Sequence, residues 1–180
     1  MKMIKSEKLG GLFDIVSIFA SATVIVTVAF LVFFRTIAVD GESMIQTLQD
    51  KDRLIISAFA DPEPGDIVVT CQPSYISYIE STLVKRVIAT EGQTVDIDFE
   101  KGIVYVDGEA LDEPYTNTPT NREEGMPFPI VVPEGHIFVM GDNRNGSSDS
   151  RDIRIGTIRT EYVLGKALFR IMPFGKFKIG

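Results

Sequence analysis

The sequence has a single cysteine, Cys71, and a single histidine, His136, among its 180 residues. One cysteine cannot form a disulfide within the chain, and the two residues together cannot supply the ligand set of a zinc site. The same scarcity argues against Ser-His or Cys-His catalysis, because each needs a histidine paired with its nucleophile. We therefore predict no metal and no cofactor, and we assign no catalytic role to His136.

Positive charge is also scarce in the larger part of the chain. From Thr36 onward, 14 lysines and arginines stand against 23 aspartates and glutamates, which gives a net charge of −9. Affinity for nucleic acids comes largely from basic residues that neutralise phosphates. We therefore predict that the protein has no nucleic-acid partner.

Charge is absent altogether from residues 15–34, which read IVSIFASATVIVTVAFLVFF. Twenty helical residues span about 30 Å, which matches the hydrocarbon core of a bilayer. A helix on the surface of a soluble domain would normally have a polar face, and this stretch has none. The sequence therefore predicts one transmembrane helix over 15–34, with the lipid bilayer as a partner.

A cleavable secretory signal is the alternative interpretation of this run. The apolar part of such signals usually has about 7–15 residues and ends at a small-x-small site. This run is longer and ends with Phe33, Phe34 and Arg35, which favours an uncleaved anchor. Three lysines precede the run and one arginine follows it, so the positive-inside rule predicts a cytoplasmic segment at 1–14. Residues 35–180 would then lie on the extracytoplasmic side of the cell membrane.

Beyond the anchor, short apolar and β-branched segments alternate with turns rich in Gly, Pro and Asp. There is no convincing amphipathic helix and no internal repeat. We predict an all-β extracytoplasmic domain of antiparallel sheets over 35–180, with a hairpin turn at Asp107-Gly108, a loop at 71–81 and an exposed, mobile arm at 112–129. The predicted strands are 52–59, 67–70, 82–88, 94–99, 103–106, 130–132, 136–140, 162–164 and 167–171.

A serine lies two positions after a glycine in Asp40-Gly41-Glu42-Ser43-Met44, a stretch that five residues separate from the apolar run. Glycine permits a tight turn, and such a turn can expose both the serine hydroxyl and nearby N–H groups. Ser43 is therefore a candidate nucleophile. An ordinary surface turn is the alternative, because Gly-x-Ser occurs in many loops.

Two adjacent cations, Lys85 and Arg86, stand in the middle of the apolar segment 82–88. Because strand side chains alternate between faces, one of the two must point toward the packed side. Charged residues are seldom buried unless they are paired or functional. The alternative is an edge strand with both cations solvated.

A serine nucleophile needs a base, and a neutral lysine can serve where no histidine is available. The unperturbed pKa of lysine is about 10.4, so a base that works near neutrality needs a pKa lower by roughly 2–3 units. Burial of Lys85 among Leu83, Val84 and Val87 would supply that desolvation. A Ser43–Lys85 dyad is therefore chemically coherent.

Five segments occur in the order known from one family of membrane peptidases. They are VDGESMIQTL at 39–48, DRLII at 52–56, PGDIVV at 64–69, KRVI at 85–88, and GDNR at 141–144 followed by Ser147, Asp149, Ser150 and Arg151. In these segments the chain resembles the type I signal peptidases, in their Gram-positive form. The resemblance extends from the anchor to near the C-terminus, and it implies the particular topology of the sheets.

The resemblance implies that Ser43 attacks the scissile carbonyl of the substrate. Lys85 would take the serine proton and later return one to the leaving amine, and the backbone N–H of Ser43 would help to hold the oxyanion. Some members of the family have a serine where this chain has Gly41, so that additional oxyanion donor is missing here. The Gram-positive form shares this glycine.

The resemblance also implies supporting roles in the last segment. Ser147 matches a position whose hydroxyl helps to orient the lysine, and Asp149 and Arg151 match an ion pair that supports the site. Asp142 and Arg144 belong to the same scaffold. Taken without the other segments, this stretch could equally be a salt-bridged loop with no link to catalysis.

The implied substrate is the signal peptide of an exported preprotein, cut after a small-x-small pattern. Small residues in the substrate imply shallow pockets, which Met44, Leu83 and Val84 could line. The chain departs from the family pattern at Gln46, where proline is usual, and at Ala89, where glycine is usual. Neither departure removes a catalytic group, so they bear on loop geometry and efficiency.

Two other functions fit parts of this pattern. Self-cleaving repressors also use a serine-lysine pair, but they are soluble and carry a DNA-binding domain, whereas this chain has an apolar run and an acidic body. A non-catalytic, membrane-anchored assembly factor could keep the same fold. Such a protein should have lost Ser43 or Lys85, and both are present.

Overall fold

The computed structural model of the chain describes residues 2–72, 81–175 and 179. They form one long helix, eleven strands and two short 3-10 helices, and the boundary between two compact units falls after Arg35. The helix α1 is Lys2–Phe33, and the strands are β1 Phe34–Ala38, β2 Arg53–Ser57, β3 Ile67–Gln72, β4 Ser81–Thr90, β5 Thr94–Asp98, β6 Ile103–Val106, β7 Glu109–Ala110, β8 Ile130–Val131, β9 His136–Met140, β10 Ile158–Arg159 and β11 Val163–Met172. The 3-10 helices are Arg144–Gly146 and Thr160–Tyr162.

The helix α1 contains a stretch long and apolar enough to cross a membrane, the 21 residues Phe13–Phe33, with a mean hydropathy of 2.6. The apolar helix expected from the sequence is therefore confirmed, but its bounds differ from the predicted 15–34. The helix already includes residues 2–14, and it ends one residue early because Phe34 begins β1. Thr36 and Ile37 are β-branched, which favours the extended conformation at this point.

Two sheets build the second unit. The larger has seven strands in the order β1-β2-β11-β3-β4-β9-β10, and the smaller has four in the order β7-β6-β5-β8. The pairs β2–β11, β11–β3, β3–β4 and β4–β9 are all antiparallel, as are the pairs of the smaller sheet. The fold is thus the predicted mainly antiparallel β domain. It places β4 in the interior of the larger sheet, between β3 and β9.

Three clusters of buried apolar side chains form the core. One cluster contains Ile88 and Phe138 of the larger sheet together with Val95 and Val104 of the smaller sheet, so it joins the two sheets. A second, which includes Met44, lies around the turn that carries Ser43. The third packs Val68, Val87, Ile137, Val139 and Ile158 against one another.

Several sequence-based boundaries were wrong. The predicted strands 162–164 and 167–171 are one continuous strand, β11, which pairs with β3 in its first half and with β2 in its second half. Cys71 and Gln72 belong to β3 rather than to the predicted loop at 71–81, and Ser81 belongs to β4. The remainder of that loop, residues 73–80, lies outside the described residues.

The segment 112–129 is only in part the exposed arm that its composition suggested, because most of its residues are exposed but several are packed against the domain. Thr120 is 1% exposed, and Phe128 packs against the cluster that joins the two sheets. Glu113 is held by the buried guanidinium of Arg144. The segment is rich in Pro, Asn and Thr, which favour irregular backbone, but irregular backbone can still be packed.

Candidate active site

The turn that carries Ser43 is a closed loop between β1 and β2. The Val39 N–H donates to the Asp52 carbonyl at 2.8 Å, and the Lys51 N–H donates to the Val39 carbonyl at 2.9 Å. Gly41 has a φ of +89°, a conformation that side chains other than glycine rarely adopt, and its N–H donates to Asp50 Oδ1 at 3.0 Å. Gly41 therefore shapes the turn through its backbone.

The turn brings Ser43 to Lys85. Lys85 Nζ lies 2.7 Å from Ser43 Oγ, and Lys85 is only 3% exposed. Lys85 is paired with Val68 of β3, and the pairing of β4 with β9 reaches only to Arg86, opposite Met140. An interior strand therefore supplies the lysine, and the loop between β1 and β2 supplies the serine.

The backbone N–H of Ser43 is available to a ligand. Among the described residues, none accepts a hydrogen bond from it. An N–H at the nucleophile itself is the usual donor for the oxyanion formed when the serine attacks a carbonyl.

The environment of Lys85 makes its neutral, proton-accepting form more populated near neutral pH than that of an exposed lysine. Burial is the main cause, and it lowers the pKa of Lys85 from 10.5 to about 8. The negative charge of Asp149 opposes this effect, while the positive charge of Arg151 adds to it. With a pKa of about 8, roughly one Lys85 in ten is neutral at pH 7. That fraction can accept a proton from Ser43.

The loop 141–151 is bound directly to the turn that carries the serine. The Asn143 N–H donates to the Ser43 carbonyl at 3.0 Å, and Asn143 Nδ2 donates to the Glu42 carbonyl at 3.1 Å. A Cβ on Gly141 would lie 2.5 Å from the Ser43 carbonyl oxygen and 2.3 Å from Ser147 Oγ. Only glycine fits there, because the neighbouring atoms include backbone that cannot move aside.

Asp149 and Arg151 form a fully buried ion pair next to this contact. Arg151 Nε lies 2.8 Å from Asp149 Oδ1, and Arg151 Nη2 lies 2.9 Å from Asp149 Oδ2. Asp149 also accepts the Gly141 N–H at 2.9 Å, and Arg151 donates to the Arg144 carbonyl at 2.6 Å. The pair therefore holds both ends of the loop that touches Ser43.

Asp142 and Arg144 have partners outside their own loop, and the sequence did not reveal them. Asp142 accepts two hydrogen bonds from Arg86, at 2.8 Å from Nε and 2.7 Å from Nη2. Arg144 Nη1 donates to Glu113 Oε2 at 2.8 Å and to Thr120 Oγ1 at 2.9 Å. Arg86, Glu113 and Thr120 are thus site residues that the sequence interpretation missed.

Thr47 and Tyr115 were also missed. The hydroxyl of Thr47, in the turn that carries the serine, donates to Asp142 Oδ2. Arg86 Cζ lies 3.9 Å from the centroid of the Tyr115 ring, a cation–π contact with the segment once expected to be an exposed arm. Asp142 therefore connects β4, through Arg86, with the turn that carries Ser43, through Thr47.

The expectation that only one of the two adjacent cations would be buried was incomplete. Lys85 is 3% exposed and Arg86 is 5% exposed, on opposite faces of an interior strand. The alternative of a solvated edge strand is therefore excluded. The available signal was the placement of both cations in an apolar strand, which predicts burial of each if each has a partner.

Ser147 is close to the site but does not form the expected bond to the lysine. Its side chain is buried beside Gly141, and its hydroxyl oxygen has no hydrogen-bond partner among the described residues. An unpartnered buried hydroxyl costs about 1–3 kcal/mol. Ser147 lies beside Gly141, and Gly141 lies against the turn that carries Ser43.

The three residues expected to line substrate pockets differ in exposure. Met44 is 1% exposed and Val84 is 9% exposed, and both pack in one core cluster with Leu48 and Val69. Leu83 is only partly buried. Of the three, Leu83 alone presents a substantial part of its surface.

The family model described as "Signal peptidase, peptidase S26" matches residues 12–172. The chain is 37% identical to a probable signal peptidase I-1 of Synechocystis over 77% of this chain and 71% of that protein. It is 29% identical to signal peptidase I S of Bacillus subtilis over 97% of this chain and 98% of that protein.

Two further relatives come from other organisms. Signal peptidase IB of Staphylococcus aureus is 31% identical over 85% of this chain and 89% of that protein. A crystal structure of a signal peptidase I from Enterococcus faecalis matches with a TM-score of 0.47 and 30% identity, and it covers 59% of this chain and 97% of that one. With a family model that matches nearly the whole chain, the protein belongs to the signal peptidase family, peptidase S26.

Proposed function

We propose that this protein is a membrane-anchored serine endopeptidase that removes signal peptides from exported preproteins. Ser43 is the nucleophile and Lys85 is the general base. The observation that carries the proposal is the distance of 2.7 Å between Lys85 Nζ and Ser43 Oγ, formed by a lysine whose pKa burial lowers to about 8. Membership of a peptidase family and relatives named signal peptidase I support it.

The chemistry is an acyl transfer in two steps. Neutral Lys85 takes the proton of the Ser43 hydroxyl while Oγ forms a bond to the scissile carbonyl carbon. The N–H of Ser43 stabilises the resulting oxyanion. The tetrahedral intermediate collapses, the C–N bond breaks, and protonated Lys85 gives its proton to the departing amine.

Deacylation repeats these events with water. Lys85 takes a proton from a water molecule whose oxygen attacks the acyl carbon. The ester bond to Ser43 breaks, and the proton returns from Lys85 to Ser43 Oγ. The products are the freed signal peptide with a new carboxylate and the mature protein with a new amino terminus.

The remaining site residues hold the pair in this geometry. Asn143 binds the backbone on either side of the serine, and Asp142 joins Arg86 to Thr47. The Asp149–Arg151 pair anchors the loop to Gly141. Fixed positions matter because misplacement of a reacting group by about 1 Å can cost a factor on the order of 100 in rate.

The substrate side and the membrane topology follow the same proposal. The bond cut follows a small-x-small pattern, and of the three expected pocket residues Leu83 is the one with surface left to contact the substrate. The apolar stretch Phe13–Phe33 anchors the chain in the cell membrane, the residues before it are cytoplasmic, and residues 35–180 form the extracytoplasmic catalytic domain. Exported preproteins and the bilayer are the partners, and no metal takes part.

Cleavage of a preprotein by the full-length protein in detergent or lipid tests the proposal. Wild type should cut after a small residue, and Ser43→Ala and Lys85→Met should each lower kcat/KM by at least about a thousandfold, because the two residues act as a unit. Lys101→Met is the matched control, since Lys101 is exposed and paired with Asp98, and it should cut like wild type. If Lys101→Met also lost activity, the loss in Lys85→Met would not be specific to Lys85.

Two outcomes would overturn the proposal. If wild type is folded and membrane-bound yet inert on several preproteins, the non-catalytic assembly factor becomes the better function. If Lys85→Met keeps full activity while Ser43→Ala loses it, the serine stands and the assigned base is wrong.

A further inference from the structure

Arg170 of β11 contacts the turn that carries Ser43, and it follows the last of the segments from which the site was predicted. Its Nη1 donates to the Thr47 carbonyl at 3.1 Å and to Asp52 Oδ2 at 2.8 Å. The side chains of Arg170 and Asp52 are 11% and 5% exposed. Because one guanidinium nitrogen binds both groups, this nearly buried ion pair is joined to the backbone of the turn.

Asp52 closes the same turn through its own side chain and backbone. Its Oδ2 also accepts the Gln49 N–H at 3.0 Å, and its carbonyl accepts the Val39 N–H at 2.8 Å. Arg170 and Asp52 therefore hold the end of the turn that leads into β2.

Thr47 is held from two directions. Its hydroxyl donates to Asp142 of the loop 141–151, while its carbonyl accepts the bond from Arg170. The next residue, Leu48, donates its N–H to the Met44 carbonyl at 2.8 Å, and both of these side chains are at most 1% exposed. Met44 directly follows Ser43. A displacement of the Thr47 carbonyl would therefore be passed to the serine through one hydrogen-bonded, packed turn.

Resting on the proposed peptidase function, one inference follows about this contact. We propose that Arg170 is a positioning residue of the Ser43–Lys85 pair: by binding the Thr47 carbonyl and Asp52, it keeps Ser43 Oγ at hydrogen-bond distance from Lys85 Nζ. Arg170 acts through the turn and not on the reacting atoms.

A second cation of β11 shows what is particular to Arg170. Lys166 Nζ lies 2.7 Å from Asp66 Oδ2, and this oxygen also accepts the Glu63 N–H at 2.9 Å. Both aspartates thus bind a cation of β11 and a backbone N–H of a nearby turn. Among the contacts of the described residues, none joins Lys166 to the turn that carries Ser43, whereas Arg170 binds that turn directly.

The test is cleavage of a preprotein by the full-length protein with Arg170→Met and Asp52→Asn combined. Arg170→Met alone would leave the buried Asp52 carboxylate without its cation, which destabilises the fold, and the second substitution removes that charge. The double variant still lacks the donor to the Thr47 carbonyl. We expect kcat to fall by on the order of tenfold to a hundredfold while KM changes less than about twofold, because a displaced nucleophile slows the reaction more than it weakens binding.

Two results of this experiment would overturn the inference. If Arg170 served only to neutralise Asp52, the double variant would cleave like wild type. Lys166→Met is the matched control, because it removes the other cation of β11 and leaves the contacts of Thr47 in place, and it should keep the wild-type kcat. An equal loss of kcat in Lys166→Met would mean that the binding of Thr47 is not the cause.

A measurement without substrate separates this inference from the proposed function. In protein with carbon-13-labelled lysine, the signal of the Lys85 ε-carbon is identified by its loss in Lys85→Met, and Ser43→Ala gives its position without the serine hydroxyl. Movement toward that position in the double variant, and none in Lys166→Met, supports the inference. A wild-type signal in the double variant overturns it. Failure of wild type to cleave preproteins would contradict the peptidase proposal alone.

Discussion

Lys85 and Arg86 are adjacent on one strand and both are buried, but their charges are compensated to different degrees. Arg86 makes two hydrogen bonds to the fully buried Asp142, a third to the Gly65 carbonyl, and stacks on Tyr115. Lys85 donates to Ser43, and among the described residues no carboxylate lies within ion-pair distance of it. The residues on one face of β4 compensate the charge of Arg86, whereas those on the other face leave the charge of Lys85 poorly compensated.

This difference distinguishes a cation that holds the structure together from a cation suited to acid–base chemistry. A compensated guanidinium keeps its charge and holds two segments together. A desolvated ammonium has a lowered pKa, which makes the neutral amine accessible at ordinary pH. Interior position alone therefore does not identify a base. A buried cation is a candidate base when it has no carboxylate partner, and a structural cation when it has one.

Replacement of each cation by methionine should give opposite effects on stability. Arg86→Met leaves Asp142 buried and unpaired, and we expect it to lower the free energy of unfolding by about 3–5 kcal/mol. Lys85→Met removes a poorly compensated charge at similar volume, and we expect it to raise that free energy by about 1–3 kcal/mol at pH 7. Denaturant unfolding of the membrane-anchored protein in detergent measures both.

The partner of Arg86 supplies the control. Adding Asp142→Asn to Arg86→Met removes the orphaned charge, so the double variant should regain part of the lost stability. Equal losses in Arg86→Met and Lys85→Met would show that both cations are structural, and the comparison would fail.

The comparison also predicts a pH dependence that belongs to Lys85 alone. Its pKa is about 8 in the folded state, against 10.5 for an ordinary lysine, so between these values the unfolded state binds more protons. The free energy of unfolding should therefore gain a contribution that rises with pH across this window, and Lys85→Met should lack it. With Lys85 as the proposed base, kcat/KM should likewise fall about tenfold per pH unit below about 8.

The measurement is the difference between wild type and Lys85→Met at several pH values, which cancels the titration of other groups. The advantage in stability of Lys85→Met should be largest at neutral pH and should shrink as pH rises toward 10.5. A constant difference would mean that Lys85 titrates normally and that burial does not tune it.

The smallest expected effect concerns the link from Asp142 to the nucleophile turn. Thr47→Val removes one of the donors to Asp142 but leaves both bonds from Arg86, so we expect a loss of about 1 kcal/mol in stability. Thr47→Ser keeps the hydroxyl and should behave like wild type in thermal unfolding. A loss as large as that of Arg86→Met would show that Thr47, and not Arg86, is the main partner of Asp142.

Local sequence pattern determined the elements that follow from local physics. An uncharged run identified the apolar helix, and β-branched segments between turn residues identified most strands, because periodicity and composition report directly on burial. The same pattern placed Lys85 and Arg86 inside an apolar strand. It failed at element ends such as Phe34 and at 112–129, where irregular backbone is packed against the core.

Only the tertiary structure decided which groups meet. Ser43 and Lys85 are 42 residues apart, Arg86 and Asp142 are 56 apart, and Glu113 and Arg144 are 31 apart. Residue chemistry and family resemblance together suggested the first of these contacts, while the sequence suggested neither of the other two. The path of the chain through the two sheets sets such distances, and no local pattern encodes that path. The sequence by itself therefore placed two cations in one apolar strand, and the fold decided that both are buried, one paired with a carboxylate and the other beside a serine.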